Sequence, residues 1–333
     1  MAFTGSIETS EKLRNHPNIL RNSIRFVAER DSLNASVLGP DVKPDEPEFA
    51  LFVREVVREM TVKTGQKCTA IRRILVPKPL EAEVIAALKT GLARIKLGDP
   101  RTDDKAMGPL VSQSQREAVR GQIAKLKTEA VIVFGDPDQC GCEGIDAAKG
   151  AFLSPILLRA TSPMTAQRIH DTEAFGPVAT VIAYDGIDQA AELVRRGEGS
   201  LVASLFTYDR EVAEAVILGI APYHGRILII DRDCAGESTG HGSPLPGLMH
   251  GGPGRAGGGE ELGGLRAVFH YMQRTAIQAS PGRLSALTGN WHKGAPAPLA
   301  EVHPFKRNYD QLVIGDTIET TSRPITLDDI EHF

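Results

Sequence analysis

Strand-like and helix-like segments alternate along most of this chain, and the alternation limits the folds that it can adopt. Strand-like runs occur at residues 24–28, 35–38, 71–76, 130–134, 153–158, 178–183, 202–206 and 226–230. Helix-like stretches lie at residues 7–15, 47–63, 79–93, 114–127, 186–196 and 210–220. Strands that alternate with helices pair mainly in parallel. The sequence therefore predicts an α/β fold with a largely parallel sheet.

Composition narrows the class of protein and of partner. The chain has 333 residues, of which 41% are hydrophobic, so it is long enough for two domains. A net charge of −4 gives no indication of nucleic acid or an anionic membrane surface as a partner. No apolar stretch approaches the ~18–20 residues that span a bilayer. Four cysteines are too few for a disulfide framework, which predicts a reducing, cytoplasmic compartment.

Cys68 is the first candidate for chemistry. It follows the predicted helix 47–63 in a short loop that leads directly into the strand at 71–76. A nucleophile on such a loop is held accurately and still reaches a substrate. Although a lone cysteine is more often a small buried apolar residue, Gly-Gln-Lys-Cys at residues 65–68 resembles the active-site segment of the aldehyde dehydrogenase superfamily. The resemblance implies that Cys68 is the catalytic nucleophile.

A second string, Glu-Ala-Phe-Gly-Pro at residues 173–177, carries the same resemblance. In that family the glutamate hydrogen-bonds the nicotinamide ribose and the phenylalanine packs against the nicotinamide. A carboxylate suits this role because it can accept hydrogen bonds from two vicinal hydroxyls. The alternative is a Gly-Pro turn that only starts a strand. The resemblance implies that Glu173 and Phe175 bind NADP or NAD.

Two further features are implied by the resemblance. Thr4, Gly5 and Ser6 resemble the family's phosphate turn, where a Gly-Ser pair opens a helix whose free N–H groups attract the dinucleotide phosphates. The family also places a carboxylate base at the end of a strand before the nucleophile, to activate the thiol and later a water. Glu29 has that position, although Asp31 is an alternative because the usual Glu-Leu-Gly-Gly-Lys is absent.

A Gly- and Pro-rich segment at residues 236–264 is too specific for a simple linker, because it contains His241, His250 and Arg255. It lacks the Gly-Lys-Ser/Thr of a P-loop. In the family such a segment lines the substrate mouth and precedes a strand used in oligomer contacts, which predicts a strand at 267–277. No metal site is predicted, because the two histidines have no cysteine partners at zinc spacing.

The resemblance is closest to one branch of the family. Residues 31–34, 65–73, 238–246 and 251–264 all look like the PaaZ-type bifunctional proteins of phenylacetate degradation. Those proteins join an aldehyde dehydrogenase to a MaoC-type hotdog hydratase. The implied activity is NAD(P)-dependent oxidation of an aldehyde, a CoA-linked semialdehyde, to the acid through a thioester on Cys68. The parent protein would also hydrolyse oxepin-CoA and form a homo-oligomer.

The same resemblance divides the chain. Residues 1–280 correspond to the later part of the dehydrogenase, comprising the end of the Rossmann-like cofactor domain and the α/β catalytic domain. A linker at 281–300 and the beginning of a MaoC-like hydratase domain at 301–333 follow. Both ends fall inside predicted elements, so the chain is expected to be a fragment. It would lack the earlier cofactor-binding half, with its oxyanion-hole asparagine, and the Asp/His segment of the hydratase.

Two other functions are compatible with parts of the sequence. The chain could be a catalytically incompetent remnant, or a subunit-interaction fragment that binds through the predicted strand 267–277. A Cys/His acyltransferase that uses Cys68 and His241 is a third possibility. The string at residues 173–177 argues against it, because acyl transfer needs no nicotinamide site.

Overall fold

The chain divides into two compact units, Met1–Gly263 and Gly264–Phe333, in a computed structural model that describes residues 1–102, 107–142, 149–245, 248, 250–260 and 264–296. The strands are β1 (Ala2–Thr4), β2 (Val27–Glu29), β3 (Ala35–Leu38), β4 (Arg73–Pro77), β5 (Ala130–Phe134), β6 (Ile156–Ala160), β7 (Val178–Tyr184), β8 (Ser200–Phe206) and β9 (His224–Ile230). The helices of the first unit are α1 (Ile7–Arg14), α2 (Pro17–Arg21), α3 (Pro47–Thr61), α4 (Glu81–Ala93), α5 (Gln113–Leu126), α6 (Arg168–Asp171), α7 (Ile187–Arg195) and α8 (Arg210–Ile220).

Seven strands form one mixed sheet in the order β5-β6-β7-β4-β3-β8-β9. Strands β5 and β6 are antiparallel, and the other neighbouring pairs in this sheet are parallel. Strands β1 and β2 form a separate parallel pair. The prediction of an α/β fold with a largely parallel sheet is therefore confirmed.

Both faces of the large sheet are buried. Along β4, Ile74 and Val76 point into an apolar core with α3 and α4, whereas Leu75 points into a second core with α5, α7 and α8. Parallel strands with both faces covered are built from continuous apolar runs. This explains why β-branched runs identified the strands in the sequence.

Helix α3 delivers the chain to the Cys68 loop. Pro47 lies in its first turn, where the missing N–H removes no helical hydrogen bond. Phe52, Val56 and Met60 repeat at helical spacing and are fully buried. The Phe52 ring meets the Phe206 ring edge-to-face, with 5.3 Å between centroids. This packing fixes the point at which α3 ends.

The candidate residues lie where the two sheets meet. Strands β1 and β2 end at Thr4 and Glu29, so their carboxyl ends point to the same place. Asn34 and Arg72 immediately precede β3 and β4, at the amino edge of the large sheet. The site is therefore formed between the carboxyl edge of the small sheet and the amino edge of the large one.

The second unit corrects the predicted strand at 267–277. Residues 267–271 of the predicted strand 267–277 lie in a helix, α9 (Leu265–Tyr271), and residues 272–277 form no strand. A strand needs a neighbour for its backbone groups, whereas a helix satisfies its own, and within the described ranges no strand pairs with this segment. The predicted linker 281–300 contains helix α10 (Pro281–Thr288). Residues 297–300 and the predicted hydratase at 301–333 lie outside the described residues.

Candidate active site

The loop that carries Cys68 is held by a tight turn at its start. Lys63, Thr64 and Gly65 adopt left-handed backbone conformations, with φ of 53°, 56° and 66°. A side chain at Gly65 would collide with the carbonyl oxygen of Gly176, so glycine is required for both the conformation and the close approach. The Cys68 loop is thus in direct contact with the turn at residues 173–177.

Asn34 holds the same loop in place through hydrogen bonds to its backbone. Its side chain is fully buried, and its Nδ2 donates to the carbonyl oxygens of Cys68, at 2.8 Å, and Ala70, at 3.0 Å. Its Oδ1 accepts from the backbone N–H of Val202 at 3.1 Å and from Ser32 Oγ at 2.6 Å. One amide therefore connects the Cys68 loop to strand β8. The sequence analysis did not identify Asn34 as a site residue.

The residues that the family resemblance proposes for the dehydrogenase site come together around one cavity of about 380 Å³. The proposed residues that line it are Thr4, Gly5, Ser6, Glu29, Cys68, Glu173 and Phe175. A second cavity, of about 340 Å³, is lined by Lys63, Lys67 and Arg226 among others. Glu29 and Cys68 line both cavities. The Cys68 thiol and the Glu29 carboxylate thus lie at the boundary between the two cavities.

Glu29 and Asp31 differ in what they contact. Glu29 lines both cavities, whereas Asp31 lines only the larger one. Asp31 Oδ1 accepts the backbone N–H of Ile7 at 3.2 Å, in the first turn of α1. Ser6 caps the same helix by accepting from Thr9 N at 3.3 Å. Asp31 therefore serves the helix start, whereas Glu29 lies beside Cys68 on both cavities.

Glu173 is a buried carboxylate with one oxygen that lacks a hydrogen-bond partner. Its Oε2 accepts the backbone N–H of Ser32 at 3.3 Å. Its Oε1 is buried without a hydrogen bond and lies 3.6 Å from Arg72 Nε. Burial raises the pKa of Glu173 to about 7, since it outweighs the opposing charge of Arg72, and Asp31 raises it further.

Arg72 was also missed by the sequence analysis. Its buried guanidinium donates to the carbonyl oxygen of Gly176 at 2.6 Å and to that of Gly65 at 2.8 Å. The same group lies 5.5 Å from the centre of the Phe175 ring, within the range of a cation–π contact. Arg72 therefore joins the two strings that carry the family resemblance.

His241 is not placed as a base for Cys68. Its ring is fully buried, its Nδ1 lies 2.8 Å from Ser204 Oγ, and burial lowers its pKa well below the usual value. It lines neither of the cavities that Cys68 lines. These contacts give the acyltransferase alternative no support. Within the described ranges, no cluster of His, Cys, Asp and Glu could hold a metal ion.

The cysteines fall into two classes. Cys68 and Cys234 are not in a disulfide, and both are partly buried. Cys140 and Cys142 form a disulfide within one loop. The sequence analysis did not predict this bridge, but because its partners are two positions apart it links no separate elements and is not a framework.

Comparison with known proteins identifies the family. A profile described as "Aldehyde dehydrogenase family" matches residues 1–275. The chain belongs to the aldehyde dehydrogenase family. The predicted aldehyde dehydrogenase fold is thereby confirmed for the part of the chain that the structure describes, and the two strings at residues 65–68 and 173–177 were the signals that found it.

Curated relatives within this family resemble the PaaZ-type branch. A 3,4-dehydroadipyl-CoA semialdehyde dehydrogenase from Aromatoleum evansii is 46% identical over 254 residues, which is 76% of this chain and 49% of the relative. A protein named MaoC from Klebsiella aerogenes is 46% identical over 227 residues, 68% of this chain and 66% of the relative. The chain thus spans between half and two thirds of these relatives.

Solved aldehyde dehydrogenases share the fold. A betaine aldehyde dehydrogenase from Staphylococcus aureus in complex with NAD⁺ has a TM-score of 0.68 and 25% identity, covering 81% of this chain and 49% of that one. A mutant aldehyde dehydrogenase C from Pseudomonas syringae with NAD⁺ and octanal has a TM-score of 0.69 and 25% identity, covering 82% and 51%. Among the described residues, no helix combines the length and hydropathy that a bilayer crossing requires.

Proposed function

We propose that this chain carries the nucleophile, the base and part of the nicotinamide site of an aldehyde dehydrogenase that oxidises an aldehyde to the acid. The observation that supports this most is that Cys68 and Glu29 line both of two separate cavities. One cavity suits a dinucleotide and the other an aldehyde, with the thiol between them. A single-cavity arrangement would not hold two reactants on opposite sides of one thiol.

The larger cavity fits a nicotinamide dinucleotide. Glu173 Oε1 is a buried acceptor without a hydrogen-bond partner, and a ribose hydroxyl is a suitable donor. Ser6 and Gly5 begin helix α1 on the same cavity, where N–H groups favour phosphate. Phe175 offers an apolar face. The bound dinucleotide, NADP or NAD, would supply the hydride acceptor.

The residues of the chain act in a definite order. Cys68 Sγ, as thiolate, attacks the aldehyde carbon and forms a thiohemiacetal. After that carbon has lost a hydride, a thioester to Cys68 is left. Glu29 takes a proton from a water, the water attacks the acyl carbon, and the carbon–sulfur bond breaks. The acid leaves, the Cys68 thiolate is restored, and Glu29 releases its proton to solvent, so the protein ends the cycle as it began.

The substrate class is proposed from the relatives. The name of the Aromatoleum evansii relative specifies a CoA-linked semialdehyde, and we extend that class to this chain. Lys63, Lys67 and Arg226 line the smaller cavity, which suits a negatively charged substrate. A hydratase domain that opens oxepin-CoA, a homo-oligomeric parent and a cytoplasmic location stay predictions.

A catalytically incompetent remnant, or a subunit-interaction fragment, is the second candidate. It is favoured by one fact, which is that the chain covers only 49% of the Aromatoleum evansii relative. The experiment that separates the two is NADPH formation by the purified chain with NADP⁺ and a CoA-linked semialdehyde. Formation of NADPH supports the dehydrogenase, and its absence, with dinucleotide binding also absent, supports the remnant.

Glu29→Gln is expected to stop the release step while still allowing one oxidation at each site, since a Cys68 thiolate can form without this base. A general base contributes about 10²–10⁴-fold to a rate, so steady turnover should fall by about 10²-fold or more. A burst of NADPH equal to the enzyme concentration should still appear, because the thioester forms before Glu29 is needed for water. Rapid-mixing absorbance at the NADPH band measures both phases.

Asp31→Asn is the matched control for Glu29→Gln, because it also neutralises a carboxylate on the larger cavity. The asparagine retains an oxygen that can accept the Ile7 N–H bond. Little change in either phase is expected. A stalled second phase in Asp31→Asn, with normal turnover in Glu29→Gln, would assign the base to Asp31 instead.

Dinucleotide affinity is expected to depend on pH near neutrality. The pKa of Glu173 is raised to about 7, so the carboxylate is ionised above pH 7 and protonated below it. Only the ionised form accepts two hydroxyl hydrogen bonds. Affinity for NADPH should therefore weaken by up to about tenfold from pH 8 to pH 6. Fluorescence titration measures it, and Glu173→Gln should bind more weakly with a flat pH profile.

A further inference from the structure

Arg72 lies between the nucleophile loop and the turn that carries Glu173. Its two terminal nitrogens donate to Gly65 and Gly176, one on each side, and Nη2 also reaches the carbonyl oxygen of Lys67, the residue before Cys68, at 3.4 Å. These hydrogen bonds therefore hold the guanidinium in one position against the Cys68 loop. A charge held this way acts on its neighbours at constant distance.

Two acidic groups share this one buried charge. Arg72 Nε and Glu173 Oε1 are 3.6 Å apart, and both atoms are buried without a hydrogen-bond partner. The contact is thus an ion pair without a hydrogen bond. Arg72 also interacts electrostatically with Cys68. A positive charge close to a thiol favours the thiolate. The charge of Arg72 therefore stabilises the ionised forms of both Glu173 and Cys68.

We propose that Arg72 is a positioning residue that couples the Glu173 carboxylate to the Cys68 thiol, so that the charge on Glu173 controls how readily the thiolate forms. This rests on the proposed role of Cys68 as nucleophile. When Glu173 is ionised it neutralises much of the Arg72 charge. When Glu173 is neutral, the full charge of Arg72 acts on Cys68. The ionisation state of Glu173 thus affects the Cys68 thiol through the guanidinium of Arg72.

Other charges face the thiol from the elements around it. The charged and titratable residues that line the cavities beside Cys68 are Glu29, Asp31, Lys63, Lys67, Arg226 and His250. Lys67 is paired with buried Glu59 at 2.8 Å, which reduces its effect. None of these groups is changed in the variants below. Differences between variants therefore report on Arg72 and Glu173.

The test is the rate of Cys68 alkylation by iodoacetamide between pH 6 and pH 10.5, followed by mass spectrometry of the Cys68 peptide. Because a nearby cation favours the thiolate, Arg72→Met should slow alkylation at pH 7 by about tenfold. The difference should vanish above about pH 10, where the thiol is ionised in either protein. Arg72→Lys retains the charge and should stay close to wild type.

Glu173→Gln should have the opposite effect and accelerate alkylation at pH 7 several-fold. In the Arg72→Met background the same change should do little, because a buried Glu173 without Arg72 already holds its proton at pH 7. Arg73→Lys is the matched control. Arg73 is also fully buried and donates to the carbonyls of Leu33, Leu193 and Val194, so its replacement should leave the alkylation profile unchanged.

Three results would overturn the proposal. The first is a decrease in the alkylation rate of Arg72→Met that is the same at every pH, which indicates a structural role alone. The second is Arg72→Lys behaving as Arg72→Met. The third is no acceleration in Glu173→Gln, which decides the matter even if Arg72→Met does not fold. No turnover is needed, so a chain that forms no NADPH but shows this pattern would contradict the proposed function and retain the coupling.

Discussion

Replacing Cys68 by alanine is expected to abolish NADPH formation while dinucleotide binding survives. The sulfur is the atom to which the substrate is joined in the proposed mechanism, and loss of a catalytic nucleophile costs roughly 10⁴-fold or more. The larger cavity has many other lining residues, including Glu173 and Phe175, so binding of NADPH should change little. Initial rates of NADPH formation and a fluorescence titration measure the two effects separately.

Cys234→Ala is the matched control, because Cys234 is the other cysteine outside a disulfide among the described residues. Its backbone N–H donates to Asp231 Oδ1 at 3.1 Å, and it lines neither cavity at Cys68. Activity close to wild type is expected. Residual turnover near wild type in Cys68→Ala would remove Cys68 from the mechanism.

Asn34→Leu is expected to cause the largest loss of stability near the site. The side chain makes four hydrogen bonds, to Cys68, Ala70, Val202 and Ser32. Leucine has a similar volume but forms none of these bonds, and a buried polar group that loses its only partner costs about 1–3 kcal/mol. Ser32 Oγ keeps a second partner, the backbone N–H of Leu201, so fewer than four groups carry this cost. We expect the free energy of unfolding to fall by about 3–5 kcal/mol, a large part of the total for a typical domain. Urea denaturation followed by circular dichroism measures it.

Asn22→Leu provides the comparison for Asn34→Leu. Asn22 is exposed, and its Nδ2 makes one bond, to the carbonyl oxygen of Asn18 at 2.9 Å. A change within about 0.5 kcal/mol is usual at such surface positions. Equal losses in the two variants would show that the buried amide network contributes no more than a surface contact, and that Cys68 is held by other means.

Local sequence patterns predicted most elements of the first unit, although the short elements β1, α2 and α6 were not predicted. Strand β5 was predicted at its observed bounds, and α3 was predicted within two residues, because apolar periodicity is a local property. The strings around Cys68 and Glu173 were recognisable because they are contiguous. Neither required knowledge of how the chain folds back on itself.

Contacts between distant residues could not be predicted in the same way. The strand order, with β4 and β3 at the centre of the sheet, is decided by long-range pairing. Asn34 and Arg72 looked like ordinary polar residues, since their partners are far away in sequence. Helix α9 was wrongly predicted as a strand, because Val268 and Phe269 favour strands by propensity while the observed segment satisfies its own backbone.

The contact between Gly65 and Gly176 has a consequence for engineering. A single added methyl group on Gly65 would collide with the backbone of Gly176. The Cys68 loop and the turn at residues 173–177 therefore form one structural unit, although separate stretches of the gene encode them. If either loop alone were taken from a distant homologue, it would pack against a loop from a different protein that had not evolved with it. Chimeras should therefore exchange both stretches, together with Arg72, as a single cassette.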